Sequence, residues 1–452
     1  MSACRHYAIV ILFLAFFLSG IGLAADASPK DDAYHYMKNG VDDQIYNEWW
    51  YFNGLGNDSQ FMMLYLISDP ENLTGSRKLQ AWAVVLEDGK SPAIGLRQSR
   101  GFGGDLNSPT FDLDQSGFSP LDDSGIRIWG NVPASSTGSS IKWDLNYQPA
   151  TSPWFGIPVQ SHIGHLKGDW MKWLVYMPSA NVSGSIVVDN KTLSIDGVGY
   201  HDHCWGRWAL NDPSTVWLET SNPQESFSLA LADIAGEQKN TFLGIKYAGK
   251  IIKFSGKQIK LNLSDLVFDP ETGRIYPEKY EVVAENGEFR LDLMAKARKS
   301  VPLRLDYLKP APSLLIFAQV ADLQGVLKRK NGEEYQFDGA GFTGFSSPVL
   351  HPIFGKVNSA QANLTNGGNV TITAVNQRTG QEKTAKTTAD GWFNLDADYG
   401  DYLANSSAPW VANDDRIKLT ALEGGAIISE TDLTINLTED RQEARFPESN
   451  RS

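Results

Sequence analysis

Cysteine is nearly absent. Of the two cysteines in 452 residues, Cys4 lies in an N-terminal segment that reads as removable. Cys204 is then alone in the mature chain, which excludes an intramolecular disulfide; it could be a reactive thiol, but a small buried hydrophobe is the simpler reading. Positive charge is also short. A net charge of −13 and a pI near 5.1 argue against nucleic acid or an anionic membrane surface as partner. No glycine-rich dinucleotide loop, phosphate loop or nucleophile elbow occurs, which leaves hydride transfer, phosphoryl transfer and serine hydrolysis without support. Amphipathic helical periodicity is missing from the N-terminal half, and after the first twenty residues no apolar run is long enough to span a bilayer.

That first run is informative. Arg5 and His6 precede Ala8–Leu18, and small residues follow at Gly22, Ala24, Ala25 and Ala27. Residues 1–27 read as a signal peptide, with an uncleaved membrane anchor as the alternative. The expected location is therefore outside the cytoplasm: periplasmic, extracellular or at the cell surface. No lipobox-like cysteine follows the run. Asn-x-Ser/Thr sequons at Asn72, Asn181, Asn190, Asn262, Asn363, Asn369 and Asn436 are candidate glycosylation sites in an exported chain.

Chemistry concentrates in Gly199-Tyr200-His201-Asp202-His203-Cys204-Trp205-Gly206-Arg207-Trp208. In a strand, alternate side chains share a face. His201, His203 and Trp205 then point one way, and Tyr200, Asp202 and Cys204 the other, so that one face can line a cavity while the other packs. The plainer alternative is a buried aromatic strand with hydrogen-bonded polar groups, but His and Asp are costly to bury without partners. A second stretch, Asn47-Glu48-Trp49-Trp50-Tyr51-Phe52-Asn53-Gly54, sets a carboxylate before four aromatics and suits a strand covered on both faces.

Glu-Trp-Trp-Tyr-Phe followed far downstream by Tyr-His-Asp-His-x-Trp-Gly resembles the carotenoid 1,2-hydratase (hydroxyneurosporene synthase) and AttH-like family, over about residues 35 to 350. The resemblance implies an all-β fold of two lipocalin-like β-barrel halves, about 35–210 and 211–350, and a possible activity on polyene or isoprenoid chains. That family's closing strand often carries a glutamate near its end. Thr343-Gly344 stands there in this chain, so no acid is placed at that point.

Short strand-like runs with turn-rich breaks continue the pattern through Gln336–Phe345. Trp154 to Trp173, holding His162, His165, Asp169 and Trp170, reads as a cavity wall or mouth, or equally as a loop packing its aromatics on the barrel. Ser346–Lys356 reads as a linker. Beyond it, Thr379-Gly380 and Thr388-x-Asp390-Gly391-x-Phe393 resemble a prealbumin-like, carboxypeptidase-regulatory β-sandwich, placed at 357–440, with a charged disordered tail at 441–452.

Hydration of an unactivated C=C bond needs a carboxylic acid held protonated among apolar groups, and aromatic faces to steady the cation. Asp202 among Tyr200, Trp205 and Trp208 meets this, as does Glu48 among Trp49, Trp50 and Tyr51. The resemblance makes Asp202 the first choice, with His201 and His203 orienting it or positioning water and Glu48 second. The structural alternative for Glu48 is a pair with a buried arginine such as Arg207. Trp49, Trp50, Tyr51, Tyr200, Trp205 and Trp208 are the expected ligand contacts. Glu48, Trp50, His201, Asp202, His203 and Trp205 are expected to share one largely aromatic cavity. No cofactor is expected. A zinc site at His201-x-His203 completed by His162 or His165 is conceivable, but no metal is assigned. Three readings stand: an exported hydratase, isomerase or cyclase of an apolar polyene or isoprenoid; a lipocalin-like carrier of a hydrophobic ligand; and a cell-surface interaction protein.

Overall fold

The computed structural model describes residues 27–37, 46–73, 75–121, 124–134, 140–163, 168–209, 213–236, 239–307, 313–357, 370–397 and 410–447. The expected signal segment lies outside them except for Ala27, as do His165, Asn363 and Asn369. Among the described residues the chain is strands and turns, with three short 3-10 turns and no α-helix.

The first sheet is a curled meander. Its opening strand Tyr46–Leu55 is followed outward by Ser59–Ser68, Lys78–Glu87 and Ala93–Gln98, and on its other side pairs with the last strand, Lys191–Arg207. Beyond that lie Trp170–Val188, Ser140–Pro149 and Ile126–Pro133. Gly95 bridges to Ala134, where the edge strand curls back toward the far side. The second sheet repeats this plan: its opening strand Ser214–Asn222 lies between Phe227–Ala235 and its closing strand Glu334–Val349. These are the two half-barrels that the resemblance implies.

Each half-barrel is filled by its own side chains. Trp50, Phe52, Phe61, Tyr65, Phe111, Phe118 and Tyr147 are fully buried inside the first. Phe227, Leu229, Ile245, Phe254, Tyr280 and Val282 fill the second. Burying a large apolar side chain contributes roughly 1.5–3 kcal/mol, so these packed cores hold each half-barrel together. The outer faces are apolar too. On Lys78–Glu87 the residues Leu79, Ala81, Ala83 and Val85 turn inward, while Trp82, Val84 and Leu86 turn outward. Those outer side chains pack against Val301, Leu305, Leu314, Ala318, Val320 and Phe342 of the second sheet. The two half-barrels therefore meet wall to wall.

The segment read as a linker is strand. Glu334–Val349 runs into it, and Pro352–Lys356 pairs with Trp392–Asp396. The tail expected to be disordered from 441 also needs correction: Gln442–Arg445 forms a parallel strand beside Pro352–Lys356, held because Ala444 and Phe446 are buried with Ile353, Phe393 and Trp410. Its charged residues alternate with these apolar ones and lie on the exposed face. The three-stranded sheet so made faces a four-stranded one over a shared core. At the Asp-Gly turn, Gly391 has φ +91°, a conformation that favours glycine, and Thr388 Oγ1 accepts from Trp392 N at 3.0 Å.

Candidate functional site

Strand register sorts the chemistry-bearing residues onto two faces. In the antiparallel pair of Tyr46–Leu55 with Lys191–Arg207, Glu48 lies opposite Trp205, Trp50 opposite His203 and Phe52 opposite His201. These six point into the first half-barrel. Trp49 opposite Cys204, Tyr51 opposite Asp202 and Asn53 opposite Tyr200 point toward the second sheet. Glu48 and Asp202 are therefore on opposite sides of one wall, and the expected single cavity shared by Glu48, Trp50, His201, Asp202, His203 and Trp205 does not form. The period of two in a strand forbids it.

The cavity lies between the sheets and measures about 210 Å³. Its aromatic lining is Trp49, Tyr51, Trp82, Trp173, Trp208 and Trp217, and aliphatic side chains of both sheets complete it. Trp50 and Trp205 belong instead to the first core, and Tyr200 lies beneath Asp202. Asp202 is the one carboxylate among the described lining residues. Its Oδ2 accepts hydrogen bonds from Tyr200 OH at 2.8 Å and Trp173 Nε1 at 3.0 Å. No described donor reaches Oδ1. Burial raises its pKa to about 6, against the lowering effect of those two bonds. Cys204 also faces this space, but burial, with the Asp202 charge, pushes its thiol far above the ordinary value, so it is not a ready nucleophile.

A second acid stands nearby on the opening strand of the second sheet. Glu219 is buried; its Oε1 accepts from Asn53 Nδ2 at 2.5 Å and lies 3.5 Å from Tyr51 OH. Burial and the neighbouring Asp202 push its carboxyl well above the usual range. Glu219 lies opposite Phe342, one residue from the Thr343-Gly344 position where no acid was placed. Gly344 has another use. It lies opposite Trp217, and a Cβ there would fall 1.9 Å from the indole, so its lack of a side chain lets Trp217 lie flat and reach the cavity. The sequence signal for Glu219 is a carboxylate within a strand run whose neighbours Leu218 and Thr220 are also buried. Trp173 comes from the segment read as a cavity wall or mouth, or equally as a loop packing on the barrel; it lines the cavity.

Behind the wall is a closed polar cluster. Asp32, Glu48, His201 and His203 are all at 0% exposure. His201 Nε2 is 3.0 Å from Asp32 Oδ2, and His201 Nδ1 is 3.0 Å from the Tyr51 carbonyl. His203 Nε2 is 3.0 Å from Glu48 Oε1. Glu48 also accepts from His35 N at 2.9 Å and Tyr46 OH at 2.9 Å; Arg207 is not among its partners. Burial alone would raise both carboxyls, but the imidazoles outweigh it and hold Asp32 and Glu48 below their ordinary values. The same contacts raise His203 despite its burial. Asp32 and His35 come from the arm 27–37, which precedes the first strand. His162 does not join: its Nδ1 faces the Asp169 carbonyl at 3.0 Å.

The architecture defines a class: tandem curled half-barrels of lipocalin-like kind, with an acid-bearing apolar cavity between them. Solved structures agree on the fold. The chain is similar to an AttH-like protein of Nitrosomonas europaea, with TM-score 0.50 and 17% identity over 71% of this chain and 95% of that one. It is similar as well to kievitone hydratase of Nectria haematococca, with TM-score 0.51 and 14% identity over 72% of this chain and 94% of that one. No family model and no curated protein sequence matches the chain.

Proposed function

We propose that this chain binds an apolar isoprenoid or polyene between its two half-barrels and adds water to, or shifts, one of its C=C bonds, with Asp202 as general acid. The carrying observation is one carboxyl among the described residues of a largely apolar and aromatic lining, with one oxygen held by Tyr200 and Trp173 and no described donor on the other. The raised pKa of Asp202 supports the reading by keeping the protonated form within reach. In the first step the Asp202 proton moves to one alkene carbon, the π pair forms the new C–H bond, and a tertiary cation is left. Trp49, Trp173, Trp208 and Trp217 would steady that cation through their ring quadrupoles. Water then adds to the cation and returns a proton to the Asp202 carboxylate, which restores the acid; loss of a neighbouring proton instead gives the isomer. The similarity to a protein named a hydratase is consistent with this chemistry.

Glu48, His201 and His203 have no place in this step, because they lie behind the wall with no exposed surface. A carrier that binds such a ligand without changing it is the second reading, favoured by how apolar the rest of the lining is. We further propose export, on the N-terminal sequence alone. The test is incubation of the purified protein with a total lipid extract, followed by mass spectrometry of what is bound and what changes. A bound unsaturated isoprenoid together with a product heavier by one water supports the hydratase. A bound, unchanged ligand supports the carrier. Absence of any bound apolar molecule contradicts both.

A further inference from the structure

The buried cluster behind the wall holds a donor set that the proposed reaction does not use. One ligand atom from each of His35, Glu48 and His203 lies within 4.8 Å of the other two. Glu48 Oε1 is 3.4 Å from His35 Nδ1 and 3.0 Å from His203 Nε2. Ligand atoms on a tetrahedral zinc, each about 2.0–2.1 Å from the metal, lie about 3.3 Å apart. The two edges to Glu48 Oε1 are already within about 0.3 Å of that length.

The surroundings are those of a supported ligand set. His203 turns its other nitrogen, Nδ1, toward Asp32 Oδ1 at 3.4 Å. Both atoms are buried and lack a hydrogen bond, an uncommon state for buried polar groups. A ligating imidazole ordinarily donates its second N–H to a carboxylate. The other oxygen of Glu48 is held by Tyr46 OH at 2.9 Å. The His35 ring stacks on Trp205 at 3.9 Å between centroids. Glu48 is fully buried, but the His35 side chain is 25% exposed, which leaves a side from which an ion and a water ligand can arrive.

We propose that His35, Glu48 and His203 bind one divalent cation of the zinc class, with Asp32 as the positioning carboxylate behind His203. Two imidazole nitrogens and one carboxylate oxygen suit zinc better than calcium or magnesium, which prefer all-oxygen shells. The ion would replace the proton shared between Glu48 and His203. It would also tie the arm 27–37, which supplies His35 and Asp32, to the two strands that carry Glu48 and His203. The site lies on the far side of the wall from Asp202, so its role is to fasten the arm and not to act on a ligand in the cavity.

The test uses the full chain, stripped with a chelator and titrated with zinc against a chromophoric competitor. One zinc per chain is expected. His35→Ala should weaken binding by more than about 100-fold and Asp32→Asn by about 10–100-fold, with His162→Ala unchanged. His35 is partly exposed and on the arm, so its loss should leave the barrel folded, and an unchanged β-sheet circular dichroism spectrum checks this. Cobalt in place of zinc should give the visible bands of a tetrahedral site in the unaltered protein and lose them in His35→Ala. Failure of the unaltered protein to bind zinc stoichiometrically, or wild-type affinity in His35→Ala, would overturn the assignment.

Discussion

Asp202 and His203 are neighbours in sequence that serve separate compartments. Asp202 faces the apolar cavity between the half-barrels, and His203 faces Asp32 and Glu48 in the closed interior of the first. One strand thus carries two kinds of chemistry at alternate positions.

Glu219 gives a pH signature. Its folded carboxyl is raised above the unfolded value of 4.5. The folded state therefore holds the proton more tightly, and the resulting stability is fully present below pH 4.5 and lost as pH rises through the folded value. Glu219→Gln cannot titrate. Relative to wild type, it should gain stability as pH rises from 4.5, by up to about 1.4 kcal/mol per pH unit. Thermal melting of both proteins across pH measures this; parallel Tm curves would contradict it.

Gly344 sets the shape of the cavity. A Cβ at this position meets the Trp217 indole at 1.9 Å, so Gly344→Ala must push that ring into the space it lines. The expected cost is about 1–3 kcal/mol of stability, together with weaker binding of any apolar probe that wild type takes up. An alanine variant with unchanged probe affinity would show that Trp217 does not shape the site.

Phe446 anchors the final strand. Phe446→Ala removes a buried ring and should cost the C-terminal sandwich about 3 kcal/mol. Hydrogen exchange should quicken in Pro352–Lys356, which pairs with that strand, and stay unchanged in Tyr46–Leu55. Equal protection in both proteins would mean the strand is not fastened by this ring.

The all-β class was legible because short strands and turn-rich breaks alternate along the chain, and the two half-barrels followed only from the resemblance that Glu48–Phe52 and Tyr200–Gly206 carry. Parity within Tyr200–Trp205 was legible as well, since strand geometry alone sorts those residues. What parity could not give was register: only the pairing of Glu48 with Trp205 and Tyr51 with Asp202 shows which face of the first motif joins which face of the second. Asp32 was hidden because nothing local marks a residue of a short 3-10 turn as the partner of an imidazole some 170 positions away, and His35 because its role shows only once the chain folds it against Glu48. The final strand was missed because its charged residues mask the alternation of Ala444 and Phe446.

Asp202→Asn tests the central claim most directly, with ligand binding, turnover and Tm measured on the same preparation. The amide keeps the shape of the carboxyl and its contacts with Tyr200 and Trp173 but cannot pass a proton to carbon. Turnover of the ligand identified from lipid extract should fall by at least about 10²–10⁴-fold, while its affinity and the melting temperature stay near wild type. Wild-type turnover in Asp202→Asn would contradict the account and move the search for the acid to Glu219.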